Sequence, residues 1–321
     1  MTLPAPPAAS GALTIGIDIG GTKTAGAVVD ASGAMHAQAR TPTLAADPRT
    51  IEDTVVSMVA ELGAGRDIAA VGVAAAGFVD ETRSIVHYAP NISWRQEPFR
   101  DRLQERLGLP VVVENDANAA GWAEFRFGAG QHVRDQVTIT IGTGVGGAIV
   151  SDGRLLRGGF GAAGELGHLR VVPDGLACGC GSRGCIEQYA SGRALQRFAN
   201  EIADAGGEGL ATRRALRGCL DGSDIAELVA AGDSGALEAT SRLGTWVGQL
   251  CASLAAVLDP RVFVIGGGVA QLGDPLLGPI RAAFLAALPA RGHHPEPEFR
   301  AAELANDAGM VGVADLARVG P

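Results

Sequence analysis

The chain has 321 residues, 47% of them apolar and 19% charged, with a net charge of −9. That length is long for one core and favours two domains, while the acidic balance excludes the clustered Lys and Arg of a nucleic-acid-binding surface. No apolar run approaches the length of a bilayer span.

Residues 1–12, MTLPAPPAASGA, hold no basic residue and no long apolar stretch, so they read as a disordered lead-in and not as a secretory signal. With five cysteines and no export signal, reduced thiols and a cytoplasmic location are expected. From Leu13, LTIGIDIGGTKTAGAVVD predicts a strand over Thr14–Ile19, a turn at Gly20-Gly21-Thr22 and a returning strand over Ala25–Val29. It is neither a Walker loop nor a dinucleotide fingerprint, because G-x₄-G-K-[ST] is absent and no helix opens after the glycines. Such a hairpin can still aim successive backbone N–H groups at a phosphate. Asp18, just before the turn, could orient Mg²⁺ through water; taken alone, it reads more simply as a solvent-facing residue on an edge strand.

Ala69–Asp80 predicts a buried strand running into a turn at Gly77, and Asn91 follows in a short loop restrained by Pro90. A helix closes at Leu107–Leu109, Val111–Val113 form a strand, and Ala117–Phe127 form a helix. The joint between those last two is Glu114-Asn115-Asp116-Ala117-Asn118. A helix cap needs one Asn or Asp; here there are three, plus Glu114, and the excess points to a site. At a helix entrance the dipole should favour the ionised form of Asp116. That weakens it as a base but suits phosphoryl transfer, in which the proton leaves late.

Gln136–Val150, QVTITIGTGVGGAIV, repeats the strand–glycine–strand design, which suggests an internal duplication. A third glycine turn follows a strand in Val262–Ala270, VFVIGGGVA, with a helical pattern after it. Three such turns read as a nucleotide site between two similar lobes.

Between them, ELGHLRVVPDGLACGCGSRGCIE (Glu165–Glu187) gathers His168, Cys178, Cys180 and Cys185. A Cys₃His set suits tetrahedral zinc and leaves no position open for catalysis. Gly179, Gly181 and Gly184 allow the sharp folding this needs. The expectation is one structural zinc per chain, with the chemistry left to what it holds; the plainer alternative is a glycine-rich loop with buried thiols. Helices are predicted over Ala190–Gly206, Ile225–Ala231 and Ala236–Leu258, the last with Leu243, Val247, Leu250, Leu254 and Val257 at helical spacing and Trp246 as a core or subunit contact. His293 and His294 read as surface residues, and Ala308–Val319 as an amphipathic helix packing back on the N-terminal lobe.

Together DIGGTKT, AGFVD, PNISW, ENDAN, GTGVGG, ELGH, CGCGSRGCIEQYASG and IGGGV resemble the ROK family of repressors and sugar kinases over nearly the whole chain, and within it the bacterial ATP-dependent glucokinases. The ELGH and CGCGSRGC pair is the specific part; DIGGT alone indicates only the wider actin-like ATPase/hexokinase architecture. The resemblance implies that α/β, two-lobed, ribonuclease H-like fold, with mixed sheets and a nucleotide/sugar cleft between lobes. The N-terminal lobe would span 13–120, completed by a C-terminal helix at 306–321, and the C-terminal lobe 121–305, with the zinc loop at 165–187.

By the same resemblance, the activity is phosphorylation of glucose at its 6-hydroxyl by ATP with Mg²⁺, giving glucose 6-phosphate and ADP. Asp116 would be the general base. Gly77, Asn91, Asn115, Asp116, Glu165, His168 and Glu187 would contact the sugar, with His168 using its other ring nitrogen for zinc. Asp18, Gly20, Gly21, Thr22 and Lys23 would face the triphosphate and Mg²⁺, joined by Thr143 and Gly144, and Gly266, Gly267 and Gly268 would border the adenosine. Two departures, Ala148 where the family often has Gly and Ala76 where many members have Pro, touch loop detail only. A homodimer or dimer of dimers is implied. Mannose, N-acetylmannosamine or N-acetylglucosamine as substrate, and polyphosphate as donor, stay open. A sugar-sensing regulator is disfavoured, because the residues before the first hairpin are too few for a helix-turn-helix.

Overall fold

The computed structural model describes residues 12–43, 48–89 and 94–319. The chain divides into two compact units, the first built from segments 1–136, 148–164 and 303–321, the second from 137–147 and 165–302. The first unit thus takes in residues 121–136 and 148–164, which the expected boundary at 120 assigns to the other lobe.

The early chain supplies β1 (Leu13–Ile19), β2 (Lys23–Val29), β3 (Met35–Pro42), α1 (Pro48–Gly63) and β4 (Ile68–Ala75). A small antiparallel sheet of β5 (Phe78–Val79), β6 (Val86–Tyr88) and β7 (Arg95–Glu97) follows, then α2 (Phe99–Leu107), β8 (Val111–Asn115) and α3 (Asp116–Phe127). The main sheet has the order β3-β2-β1-β4-β8. β1 is antiparallel to β2 and parallel to β4, which is parallel to β8. Ile15, Ile17 and Ile19 of β1 alternate into a core with Val71, Val73, Val111 and Val113, closed by Val55 and Leu62 of α1.

The remaining strands are β9 (Gln136–Ile141), β10 (Val145–Ser151), β11 (Arg154–Leu155), β12 (Val262–Gly266) and β13 (Glu298–Ala301), in the order β11-β10-β9-β12-β13. Counted from the first strand of each, this is the order of the first sheet, so the expected duplication is visible as topology. The helices are α4 (Glu187–Ala190), α5 (Gly192–Asp204), α6 (Glu208–Arg217), α7 (Gly222–Ala230), α8 (Ser234–Leu258), α9 (Asp274–Ala287) and α10 (Ala308–Val319). The single helix expected from Ala190 is broken at Ser191, whose Oγ accepts from Ala194 N at 3.3 Å and caps α5. Helix α6 was hidden in the sequence by the run Gly206-Gly207-Glu208-Gly209 at its start.

The tail helix departs from its expected amphipathic form. Every residue of α10 from Ala308 to Ala317 is buried, because the helix lies between the sheet and α3. Gly16 and Gly72, paired across β1 and β4, make this possible. A Cβ at Gly16 would stand 1.9 Å from Met310 O, and one at Gly72 2.0 Å from Val313 O. Asp315, the charge buried within α10, accepts from Trp122 Nε1 at 2.9 Å and pairs with Arg318 at 3.1 Å. Among the described residues, no helix is long and apolar enough to cross a membrane.

Candidate active site

The joint of β8 and α3 shows what its surplus of polar residues is for. Asn115 is the cap: its Oδ1 accepts from Asn118 N at 3.0 Å, and its Nδ2 donates to Gly77 O at 3.1 Å, tying the joint to the turn after β4. Glu114 is fully buried. Its Oε1 accepts from Asn115 N at 2.9 Å and Asn118 Nδ2 at 3.2 Å, while its Oε2 lies 3.1 Å from Arg83 Nε and 2.8 Å from Arg157 Nε. Arg157 in turn donates to the carbonyls of Glu81 and Asp80, at 2.8 Å each. Asp116 is the member of the group left over. Its Oδ1 accepts from the neighbouring Ala117 N, at 2.9 Å, with no side-chain partner among the described residues.

The helix-dipole expectation for Asp116 does not hold. Burial raises its pKa, outweighing the backbone N–H bonds that lower it. Asp18 likewise departs from the simpler reading of a solvent-facing residue on an edge strand, since β1 is the central strand of its sheet. Burial, then the negative charge of Asp116, push Asp18 up to about 7 against the pull of Lys23. Gly309 keeps room for it, since a Cβ there would stand 2.7 Å from Asp18 Oδ2. Two carboxylates, one near enough for its charge to raise the other's proton affinity, are the oxygen donors a hard divalent cation takes, so the residues fit Mg²⁺. Beyond Asp18, the hairpin turn is closed by Gly20 N donating to Lys23 O at 3.0 Å, leaving Gly21, Thr22 and Lys23 exposed.

In the second unit the loop from Glu165 to Glu187 brings its four metal-ligating side chains together, their ligand atoms all within 4.8 Å of one another. Cys180 Sγ lies 3.6 Å from Cys185 Sγ, and Cys178 Sγ 3.7 Å from His168 Nδ1. A tetrahedron with zinc bonds of about 2.0–2.3 Å has edges of roughly 3.3–3.8 Å, so this group can hold zinc. Gly184 has φ +77°, and a Cβ there would stand 1.7 Å from Val172 O, so the loop cannot close with another residue at that point.

Glu165 caps the short 3₁₀ turn Leu166–His168, its carbonyl accepting from His168 N at 3.1 Å. Glu187 opens α4; its Oε1 lies 3.8 Å from Cys178 Sγ, and its Oε2 accepts from Val145 N at 3.3 Å, linking the metal loop to the second glycine turn. Tyr189 braces the loop by accepting from Leu176 N at 2.9 Å, and Trp246 of α8 packs on its ring with centroids 4.7 Å apart.

The second unit also holds a cavity of about 870 Å³, within the range of roughly 300–1,000 Å³ typical of small-molecule sites. Thr143 of the second turn, α5, α7 and the segment after β12 line it. Of the three expected adenosine-bordering glycines, only Gly268 reaches the wall. Gly266 is buried at the strand end, and Gly267 makes the bend with φ +83°, where a Cβ would stand 2.5 Å from Ile141 O. Asn91 lies outside the described residues. Sequence reasoning missed Arg83 and Arg157, which no local pattern marks, and the α5 and α7 walls of the cavity. For α5 a signal existed, because the quoted CGCGSRGCIEQYASG run ends on Gly192, which lines the cavity.

The sequence matches the ROK family over residues 14–319. The chain belongs to the ROK family. This ROK protein is 48% identical to the glucokinase of Streptomyces coelicolor over 310 residues, covering 95% of the chain and 98% of that protein. Among solved structures it resembles a ROK family glucokinase from Streptomyces griseus in complex with glucose and AMPPNP. The TM-score is 0.87 and the identity 48%, with 96% of this chain and all of that one covered (100%). The N-acetylmannosamine kinase of Citrobacter koseri is more distant, 37% identical over 307 residues, with 95% of this chain and 98% of that one covered. The two mixed five-stranded sheets are those of the actin-like ATPase fold of ROK glucokinases.

Proposed function

We propose that this protein is an ATP-dependent glucokinase that transfers the γ-phosphoryl group of ATP to the 6-hydroxyl of glucose, giving glucose 6-phosphate and ADP. The observation that carries the reading is the 48% identity, over almost the full length of both chains, to a glucokinase whose structure holds glucose and AMPPNP.

Asp116 accepts the 6-hydroxyl proton as that oxygen attacks. Its raised pKa makes it a better base than an ordinary carboxylate, provided it is ionised at the working pH. Gly77, Asn91 and Asn115 contact the sugar, with Glu165, His168 and Glu187 holding further hydroxyls. A site built to satisfy hydroxyls rejects a wrong epimer, because its buried polar groups are then left unpaired. Nδ1 of His168 faces the thiols, which leaves Nε2 for the sugar. Cys178, Cys180, Cys185 and Nδ1 of His168 would hold Zn²⁺, fixing the direction of that ring. Gly20, Gly21, Thr22, Lys23, Thr143 and Gly144 face the triphosphate, and the cavity beside Gly268 takes the nucleoside. Asp18 would hold Mg²⁺, which when bound offsets the triphosphate charge. A cytoplasmic location suits the ATP donor and the five free thiols, and a homodimer or dimer of dimers follows the family.

The second reading is an N-acetylmannosamine kinase, favoured by the 37% identity to one. Initial rates with glucose, mannose, N-acetylmannosamine and N-acetylglucosamine, each with ATP and with polyphosphate, decide between them. The highest kcat/KM is expected for glucose with ATP. A higher value for N-acetylmannosamine, or for polyphosphate as donor, would overturn the proposal.

A further inference from the structure

We infer that Arg193 grips the phosphates of the bound nucleotide, so that one side chain supplies the cavity's charge recognition. The inference rests on the reading of this cavity as the nucleotide site. Arg193 is the sole ionisable residue among those lining the cavity. It is exposed, and among the described residues its guanidinium has no hydrogen-bond or ion-pair partner. Arg197, one turn further along α5, shows the contrast: it donates to Gln188 O at 2.7 Å and lies 3.6 Å from Glu201. A long cation left unpaired in a chain of net charge −9 is suited to a polyanion.

The position of Arg193 within the cavity says which part of the ligand it meets. Gly192 N donates to Gly142 O at 2.8 Å, fixing the start of α5 against the second glycine turn. Arg193 therefore stands at the end of the cavity where Thr143 is exposed. Elsewhere the wall carries Val229, Val269 and Leu272, which suit the flat faces of a base. The planar fork of a guanidinium matches two phosphate oxygens at once, which the point charge of Lys does less well.

Calorimetric titration of the full-length protein with ADP and with adenosine, both in the presence of Mg²⁺, tests the assignment. Arg193→Gln should weaken ADP binding about tenfold or more while adenosine affinity stays within twofold of wild type. Arg193→Lys should recover part of the loss, and KM for ATP should rise in Arg193→Gln while KM for glucose does not. Unchanged ADP affinity in Arg193→Gln would overturn the inference, as would equal losses for ADP and adenosine. A wild-type protein that binds neither ADP nor adenosine would instead remove the nucleotide reading of the cavity, and this inference with it.

Discussion

The two units share a strand order but differ in what their strand ends carry. In the first, the turn after β1 is preceded by Asp18, and β8 runs into Glu114, Asn115 and Asp116. In the second, the place matching Asp18 before the turn is Thr140, and the strand ends offer Thr143 and glycines beside a cavity. The two carboxylates expected at the site from the second unit, Glu165 and Glu187, come instead from the Cys/His loop that follows β11. One scaffold, used twice, thus supplies two glycine turns, while Asp18, Glu114 and Asp116 stand at strand ends of the first copy alone. Function lies in these side chains and not in the repeat itself.

Breaking the acidic side of the comparison should have the largest effect. Asp116→Asn should lower kcat by about a thousandfold, within the range of 10²–10⁴ for loss of a general base; turnover within tenfold of wild type would remove Asp116 from that role. Breaking the metal side should cost less in rate and more in sugar binding. Elemental analysis should find one zinc per chain, and Cys178→Ser should raise KM for glucose about 10–100-fold while leaving KM for ATP nearly unchanged. Active, unchelated protein free of zinc would contradict this.

Glu114→Ala probes the support of the acidic joint. It removes the carboxylate that pairs with the guanidinium groups of Arg83 and Arg157, and should destabilise the fold by about 3–5 kcal/mol in urea denaturation. A loss under about 1 kcal/mol would show that the joint does not depend on this cluster. A pH slope in stability, with no change in turnover required, probes the other carboxylate. Asp18 is held near 7 in the folded protein against about 3.9 for an unfolded aspartate, so the folded state binds more protons between those values. Its contribution to stability therefore falls as pH rises from about 4 to about 7. Asp18→Asn, free of that penalty, should gain stability relative to wild type across this window when no divalent cation is present. A flat difference would show that Asp18 is not strained in this way.

What the sequence disclosed and what it hid divide along local and tertiary lines. The glycine turns, the Asn115–Asp116 joint and the Cys₃His loop announce themselves through neighbours a few positions apart, and all appear at the expected places. The proton affinity of Asp116 was misjudged because a helix dipole is a local property, whereas the burial that overrides it comes from the packed unit. Helix α10 reads as amphipathic because nothing in its own sequence reveals the floor made by Gly16 and Gly72. Arg157 stays silent for the same reason: its partners, Glu114, Asp80 and Glu81, are distant in the chain and meet only in the fold.

Glucose affinity, measured by calorimetry on Asp116→Asn and on Cys178→Ser side by side, tests the division of labour most directly. The prediction is that Asp116→Asn binds glucose within a few-fold of wild type although it barely turns over, while Cys178→Ser loses at least tenfold in affinity. Loss of glucose binding in Asp116→Asn, with binding intact in Cys178→Ser, would contradict it.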